Sequence, residues 1–327
     1  MNGAITFSIA LAAQLLHIGL LLAGAPLLIG FVRWLKARLL GRIGPPVVQP
    51  WRDLLRLARK QPVLAYNATF LFRAAPSLGF AATLAAAALV PSFALGMATA
   101  QISDLLAIAG LLGLARCILA LAGMDVGTPF GGIGASREMM FSVFAEPGLI
   151  LVIFTLALLA GTTNLDVIAG LLREGTLGLR VSLGLALVAT CVIAIAENGR
   201  IPVDNPATHL ELTMVHEAMV LEYSGRDLAL IEATAALKLL LWLTLIATLF
   251  CPFGMAVPDG GLLAWPFGLL TWGLKMMALA TALACFETGI AKMRVFRVPE
   301  FLGVAILFGL LAAVFLFVST GFATGGN

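Results

Sequence analysis

Phe301 to Gly321 reads FLGVAILFGLLAAVFLFVSTG, with no charged side chain along its whole length. A bilayer's hydrocarbon core is about 30 Å thick, so a helix crossing it needs ~20 mostly apolar residues. Seven further segments meet the same requirement: Ala4 to Val32, Phe70 to Met97, Ile102 to Gly123, Met139 to Gly161, Leu179 to Ala196, Leu228 to Cys251 and Leu262 to Ala291. None shows the alternating period of a membrane β-barrel. The composition agrees, because 61% of the 327 residues are hydrophobic, only 11% are charged and mean hydropathy is +1.05. A soluble domain carries roughly 25% charged residues. The expected fold is therefore an all-α polytopic membrane protein of about eight transmembrane helices, forming a single integral membrane domain over residues 1–327. A secreted disulfide scaffold, a disordered chain and a nucleic-acid binder are excluded. The first apolar run is longer than a signal peptide's core and follows no basic residue, so it reads as a retained helix.

Lys and Arg set the orientation, since cytoplasmic loops collect them. The first loop and its flanks hold Arg33, Lys36, Arg38, Arg42, Arg52, Arg56, Arg59, Lys60 and Arg73. Arg137 lies in the third loop, Arg200 and Arg226 in the fifth, and Lys292, Arg294 and Arg297 in the seventh. Only Arg173 and Arg180 fall on the other side. Odd-numbered loops are expected in the cytoplasm and both termini outside, with the chain in the cell inner membrane.

The first loop, residues 41–66, opens with GRIGPPVVQP, dense in turn residues. Trp51, Leu54, Leu55 and Ala58 then recur at helical spacing with Arg and Lys on the other faces. This predicts a short amphipathic helix lying in the membrane interface, as a lipid anchor or as the frame of a docking site.

Two further cytoplasmic loops carry the chemistry, at residues 124–146 and 197–227. The glycines Gly131, Gly132 and Gly134 complete no phosphate-binding motif and read as a flexible or closely packed turn. Arg137 and Glu138 are expected to open the fourth span. Glu146 falls inside that span, directly before Pro147. A carboxylate there is costly and reads as a protonatable pathway site more readily than as a structural ion pair. Glu197, Arg200 and Asp204 follow the fifth span. Asn205 before Pro206 predicts a helix from about Pro206 to Tyr223. It would carry His209, Glu211, His216, Glu217 and Glu222 among apolar residues, a mixture that suits a buried subunit interface. His209 and His216 are two turns apart, too far to share a metal. Cys117, Cys191, Cys251 and Cys285 sit in apolar runs with no metal-ligand spacing and read as buried structural thiols. His17 reads as a lone polar residue making one packing hydrogen bond. Arg116, Lys238, Lys275 and Glu287 lie in spans and must pair or line water, with no role assigned.

AENGRIPVD at Ala196 to Asp204 is similar to the AETNRxPFD of subunit 1 of respiratory complex I (NuoH type), and Glu222 to Gly225 matches its EYSG. Arg137, and Glu146 nine residues later, also fall in place. The first loop is shorter than in the quinone-reducing members, and the stretch between Asp204 and Glu222 is about three residues longer. DVGTPFGGIGASREM, HLELTMVHEAMVLEYSG and AKMRVFRVPEFLG resemble the sister family in group 4 membrane-bound nickel–iron hydrogenases, of the formate hydrogenlyase and hydrogenase-4 component C type. The resemblance implies a non-catalytic subunit of an oxidoreductase complex, without a redox centre of its own. It would hold a hydrogenase module, with its small iron–sulfur and large NiFe subunits, against the lipid bilayer and link it to antiporter-like subunits. It makes Glu146, Glu197, Arg200, Asp204, Glu222 and, less directly, Glu211 candidates for a proton or sodium pathway. Arg137, Glu138, His209, His216 and Glu217 are candidates for the subunit interface. The alternative is the quinone-chamber subunit of an NADH:quinone oxidoreductase. A self-standing transporter is disfavoured, because no inverted repeat is apparent.

Overall fold

The computed structural model describes residues 2–175, 181–204, 214–257 and 264–324. Among these residues, seven helices are long and apolar enough to cross a membrane. They are α1 (Asn2–Leu39), α3 (Phe70–Leu89), α4 (Leu105–Asp125), α5 (Pro129–Ala160), α9 (Gly225–Phe250), α10 (Ala264–Gly289) and α11 (Val298–Thr324). An eighth apolar helix, α7 (Val181–Glu197), has 17 residues, at the short end of what a span needs. Each expected apolar segment thus contains a helix, and the chain is a multi-span membrane protein.

The buried centre is α9. Of its most apolar stretch 72% is buried, against 22–44% for the other long helices. Around it stand α1, α3, α7 and α10, while α11 covers α5 and α7. Lipid solvates the outer faces, so large apolar side chains such as Phe317 and Leu274 lie exposed there. The same logic corrects the reading of the cysteines. Cys117, Cys251 and Cys285 are exposed and Cys191 is half-buried, because in a bilayer an apolar run does not imply an inward-facing side chain.

Several boundaries move for local reasons. The helix α3 stops at Leu89, short of the expected Met97, because Val90 is extended before Pro91. The following backbone pairs with the chain after α9, through Leu95 N–H to Ala256 O at 2.9 Å and Ala256 N–H to Phe93 O at 2.8 Å. Such pairing is what non-helical backbone at membrane depth requires. The short amphipathic helix appears as α2 (Gln49–Ala58), its Trp51 indole donating to Ala23 O of α1 at 3.1 Å. A second amphipathic helix, α6 (Leu165–Arg173), lies in the loop between α5 and α7, for which the sequence reading made no assignment. Asn164 caps it and also donates to Ala100 O at 2.8 Å, so the cap ties two loops together.

The glycine-rich stretch is helix, not turn. Thr128 caps α5 and Pro129 occupies its first turn, so the helix begins ten residues before the expected start. Close packing explains two of the three glycines: a Cβ on Gly134 would stand 2.9 Å from both Met219 Cγ and Val215 O, and one on Gly131 would collide with Gly123 O of α4, while Gly132 faces open space. Met219 and Val215 belong to the segment around α8 (His216–Val220). There the expectation of a helix from Pro206 to Tyr223 is also corrected. Asn205 and the residues to Thr213 lie outside the described residues, and Met214 and Val215 are not helical. Their backbone groups are drawn into tertiary bonds instead, Val215 N–H to Asp204 at 3.1 Å and Met214 O from Arg137 at 3.0 Å. Tyr223 pins the far end by stacking on Phe72, with ring centroids 4.0 Å apart, and donating to Phe72 O. His17 makes two bonds, not one, to Ser92 Oγ and Ala87 O at 2.7 and 3.0 Å. Full burial of a two-nitrogen ring requires both.

Candidate functional site

Ile108, Leu112, Arg116 and Ala120 recur every fourth residue on the buried stripe of α4. Arg116 therefore enters the protein interior and must find anions there. It reaches Glu197 at the end of α7, 2.7 Å away, and Glu146 of α5 at 3.3 Å. Glu197 also binds Lys238 of α9 at 3.0 Å. Four helices are thus joined through one alternating row of charges: Glu146, Arg116, Glu197, Lys238.

Beside this row lies a cavity of about 90 Å³, lined by Arg116, Glu197 and Lys238 together with Glu138, His216 and Thr83. Among the described residues, Thr83 Oγ1 and Arg116 Nε are buried without a hydrogen-bond partner. The volume is enough for several waters, which those atoms would satisfy. A smaller void of about 10 Å³ continues from Glu138, Glu197 and His216 to Asp204. Asp204 is 3% exposed and pairs with Lys292 at 3.0 Å.

Burial pushes the His216 imidazole down to about 4, and Lys238 adds to the shift while Asp204 opposes it. His216 is consequently neutral at pH 7 and serves as a hydrogen-bonding ring. The sign of its effect follows. Below about pH 6.5 the unfolded chain takes up a proton that the folded ring refuses until about pH 4. Stability should fall over that window by about 1.4 kcal/mol per pH unit, about 3 kcal/mol in all. Thermal unfolding of wild type and His216→Gln at pH 7 and pH 4.5 checks this: the variant should lose distinctly less stability.

The sequence-selected residues divide. Glu197 and Asp204 line the voids, and Glu146 joins them only through Arg116. Arg200 turns away to a second cluster, where its guanidinium lies 3.6 Å from Glu287, which Lys36 also binds at 2.7 Å. Glu138 and His216, selected for an interface, line the interior cavity. Arg137 fastens Met214, and Glu217 and Glu222 are exposed. His209 and Glu211 lie outside the described residues. Arg116, Lys238 and Glu287 had shown themselves as charges in apolar spans, without an assigned role. Lys36 and Lys292 gave no signal beyond topology, and Thr83 none. Among the described residues no three His, Cys, Asp or Glu side chains could hold a metal ion. The cavity instead offers carboxylates, an imidazole, a hydroxyl and space for water, the parts of a hydrogen-bonded proton relay.

A polytopic helical bundle with a row of paired charges between its helices defines a membrane protein that buries ionisable groups among its apolar spans. The chain belongs to the NADH dehydrogenase family, whose profile matches residues 11–319. It is 33% identical to formate hydrogenlyase subunit 4 of Escherichia coli (strain K12) over 298 residues, covering 90% of this chain and 95% of that one. Hydrogenase-4 component C of the same organism is 33% identical over 296 residues, 90% of this chain and 92% of its own. NADH-ubiquinone oxidoreductase chain 1 of Triticum aestivum is 31% identical over 231 residues, 68% and 69% of the two chains. The fold matches a chain in the structure of the membrane-bound sulfane sulfur reductase, an archaeal respiratory membrane complex. The TM-score is 0.79 at 20% identity, covering 93% of this chain and 98% of the other.

Proposed function

We propose that this chain is the membrane subunit of an energy-converting hydrogenase complex, anchoring a soluble hydrogenase module and linking its redox reaction to proton or sodium translocation. The observation that carries the reading is the row Glu146, Arg116, Glu197 and Lys238 with its adjoining cavity. Carboxylates held against cations in a low-dielectric interior relay charge when a neighbour changes state. Near-full-length similarity to formate hydrogenlyase subunit 4 and hydrogenase-4 component C supports the hydrogenase branch. In this reading the chain carries no cofactor, and the NiFe centre and iron–sulfur clusters belong to partner subunits. The donor set of this chain suits that division, since its four cysteines are spread over α4, α7, the end of α9 and α10. The quinone-chamber alternative rests on relatives such as the Triticum protein, matched over a smaller share of the chain.

The charged loops would face the cytoplasm of a cell with the complex in its inner membrane, and both termini would face outward. Reporter fusions after Arg59 and Arg226 should then read cytoplasm, and fusions after Asp259 and at the C-terminus the outer side; a reversal at any of the four breaks the orientation. The function itself is tested by affinity purification of the tagged chain in mild detergent. Nickel and iron should co-purify in stoichiometric amounts and leave with the partners when these are stripped. Co-purifying flavin with NADH-oxidising activity, and no nickel, would transfer the assignment to the alternative.

A further inference from the structure

A crevice of about 240 Å³ opens between α7, α9 and α10, and shares only Asn198 with the lining of the cavity at Arg116. Its wall is apolar along its depth, from Cys191 and Ile195 on α7 through Leu243 and Ile246 on α9 to Leu279, Ala282 and Phe286 on α10. From Phe286 back to Leu279 is two helical turns, about 10 Å, roughly two-thirds of the ~15 Å depth of one leaflet's hydrocarbon. The polar exception is its rim, formed by Asn198 and Arg200.

The rim carries more positive than negative charge. The Arg200 guanidinium is 16% exposed and has a single described ion-pair contact, to Glu287 at 3.6 Å. Glu287 is already bound more closely by Lys36, at 2.7 Å. Arg33 stands near enough to oppose the charge on Arg200. Arg200 and Lys36 therefore share one carboxylate beside the mouth of an apolar slot, with Arg33 close by, so positive charge exceeds negative there. An amphiphile with a long tail and a negatively charged head complements both parts.

We propose that this crevice binds an acyl chain of an anionic phospholipid from the leaflet on the side of the charged loops, with the phosphate held at the rim by Arg200, Arg33 and Lys36. The site rests on the membrane-spanning fold and is independent of the proposed coupling. Each basic group at a membrane surface changes the affinity for anionic lipid by about fivefold.

The test uses the intact complex, delipidated in detergent and challenged with equimolar phosphatidylglycerol and phosphatidylcholine, with retained lipid read by native mass spectrometry. Wild type should keep one phosphatidylglycerol with roughly tenfold preference. Arg33→Gln, a change on an exposed side chain, should reduce that preference about fivefold. Ala282→Phe, which fills the slot, should abolish retention of both lipids at unchanged complex yield. Equal retention of the two lipids by wild type overturns the proposal, as does undiminished phosphatidylglycerol on Ala282→Phe. Cross-linking of an Ala282→Cys variant to a neighbouring subunit, with no lipid retained, would give the crevice to a protein helix and equally overturn it.

Discussion

Replacing Glu197 with alanine should collapse the yield of folded protein. Its carboxylate is 5% exposed and compensates two interior cations, Arg116 at 2.7 Å and Lys238 at 3.0 Å. Without it Arg116 retains Glu146 at 3.3 Å, while Lys238 has no other described ion pair. Removing one partner of a buried pair costs about 3–5 kcal/mol, because the remaining charge is stranded away from water. Such a loss lowers the folded population by at least a hundredfold. A triple change, Glu197→Leu with Arg116→Met and Lys238→Met, should recover much of the yield by removing every stranded charge together. Yield in detergent and thermal midpoint are the measurements. Wild-type behaviour of Glu197→Ala would show that water or another acid already compensates the two cations.

The second large effect is on transport instead of folding. Glu146 is the outlying member of the row, with a side chain 51% exposed in the isolated chain. Arg116 keeps its shorter bond to Glu197 when Glu146 is neutralised. The variant Glu146→Gln preserves size and hydrogen bonding while removing the titratable proton. It should assemble at near wild-type yield and lose redox-driven ΔpH or sodium uptake in vesicles by an order of magnitude or more. Undiminished transport would remove Glu146 from the pathway. Poor yield would assign it to the structural ion pairs, alongside Glu197.

The contrast between these two carboxylates marks where sequence reading stops. Both were selectable, one ending an apolar run and the other preceding a proline inside one. Their different surroundings depend on Arg116, which lies far from either in sequence and is placed by the packing of α4 against α3 and α5. Hydrophobic length is a local property, so the spans and the amphipathic α2 were legible. Which cation meets which anion is decided by helix rotation and crossing, which no single segment encodes. The glycine stretch at the start of α5 misled for a related reason. Glycine weakens isolated helices, but here Gly134 leaves room for the α8 segment and Gly131 for Gly123 of α4. Lys36 and Lys292 read simply as topology markers, although each lies within ion-pair distance of a buried carboxylate.

The length of α5 has a mechanical consequence. Its 32 residues extend about 48 Å at 1.5 Å per residue, well beyond a hydrocarbon core of about 30 Å. The excess forms a stiff rod through the charged-loop face, gripped at Gly134 by Met219 and Val215. A displacement at that grip would be passed along the helix toward its weakest point. Pro147 supplies that point, because it has no N–H to bond the carbonyl of Val143. Glu146 is the residue immediately before it. Bending there changes the lean of Glu146 toward Arg116, so force applied outside the bilayer would be converted, at one carboxylate, into a change in its distance from a cation.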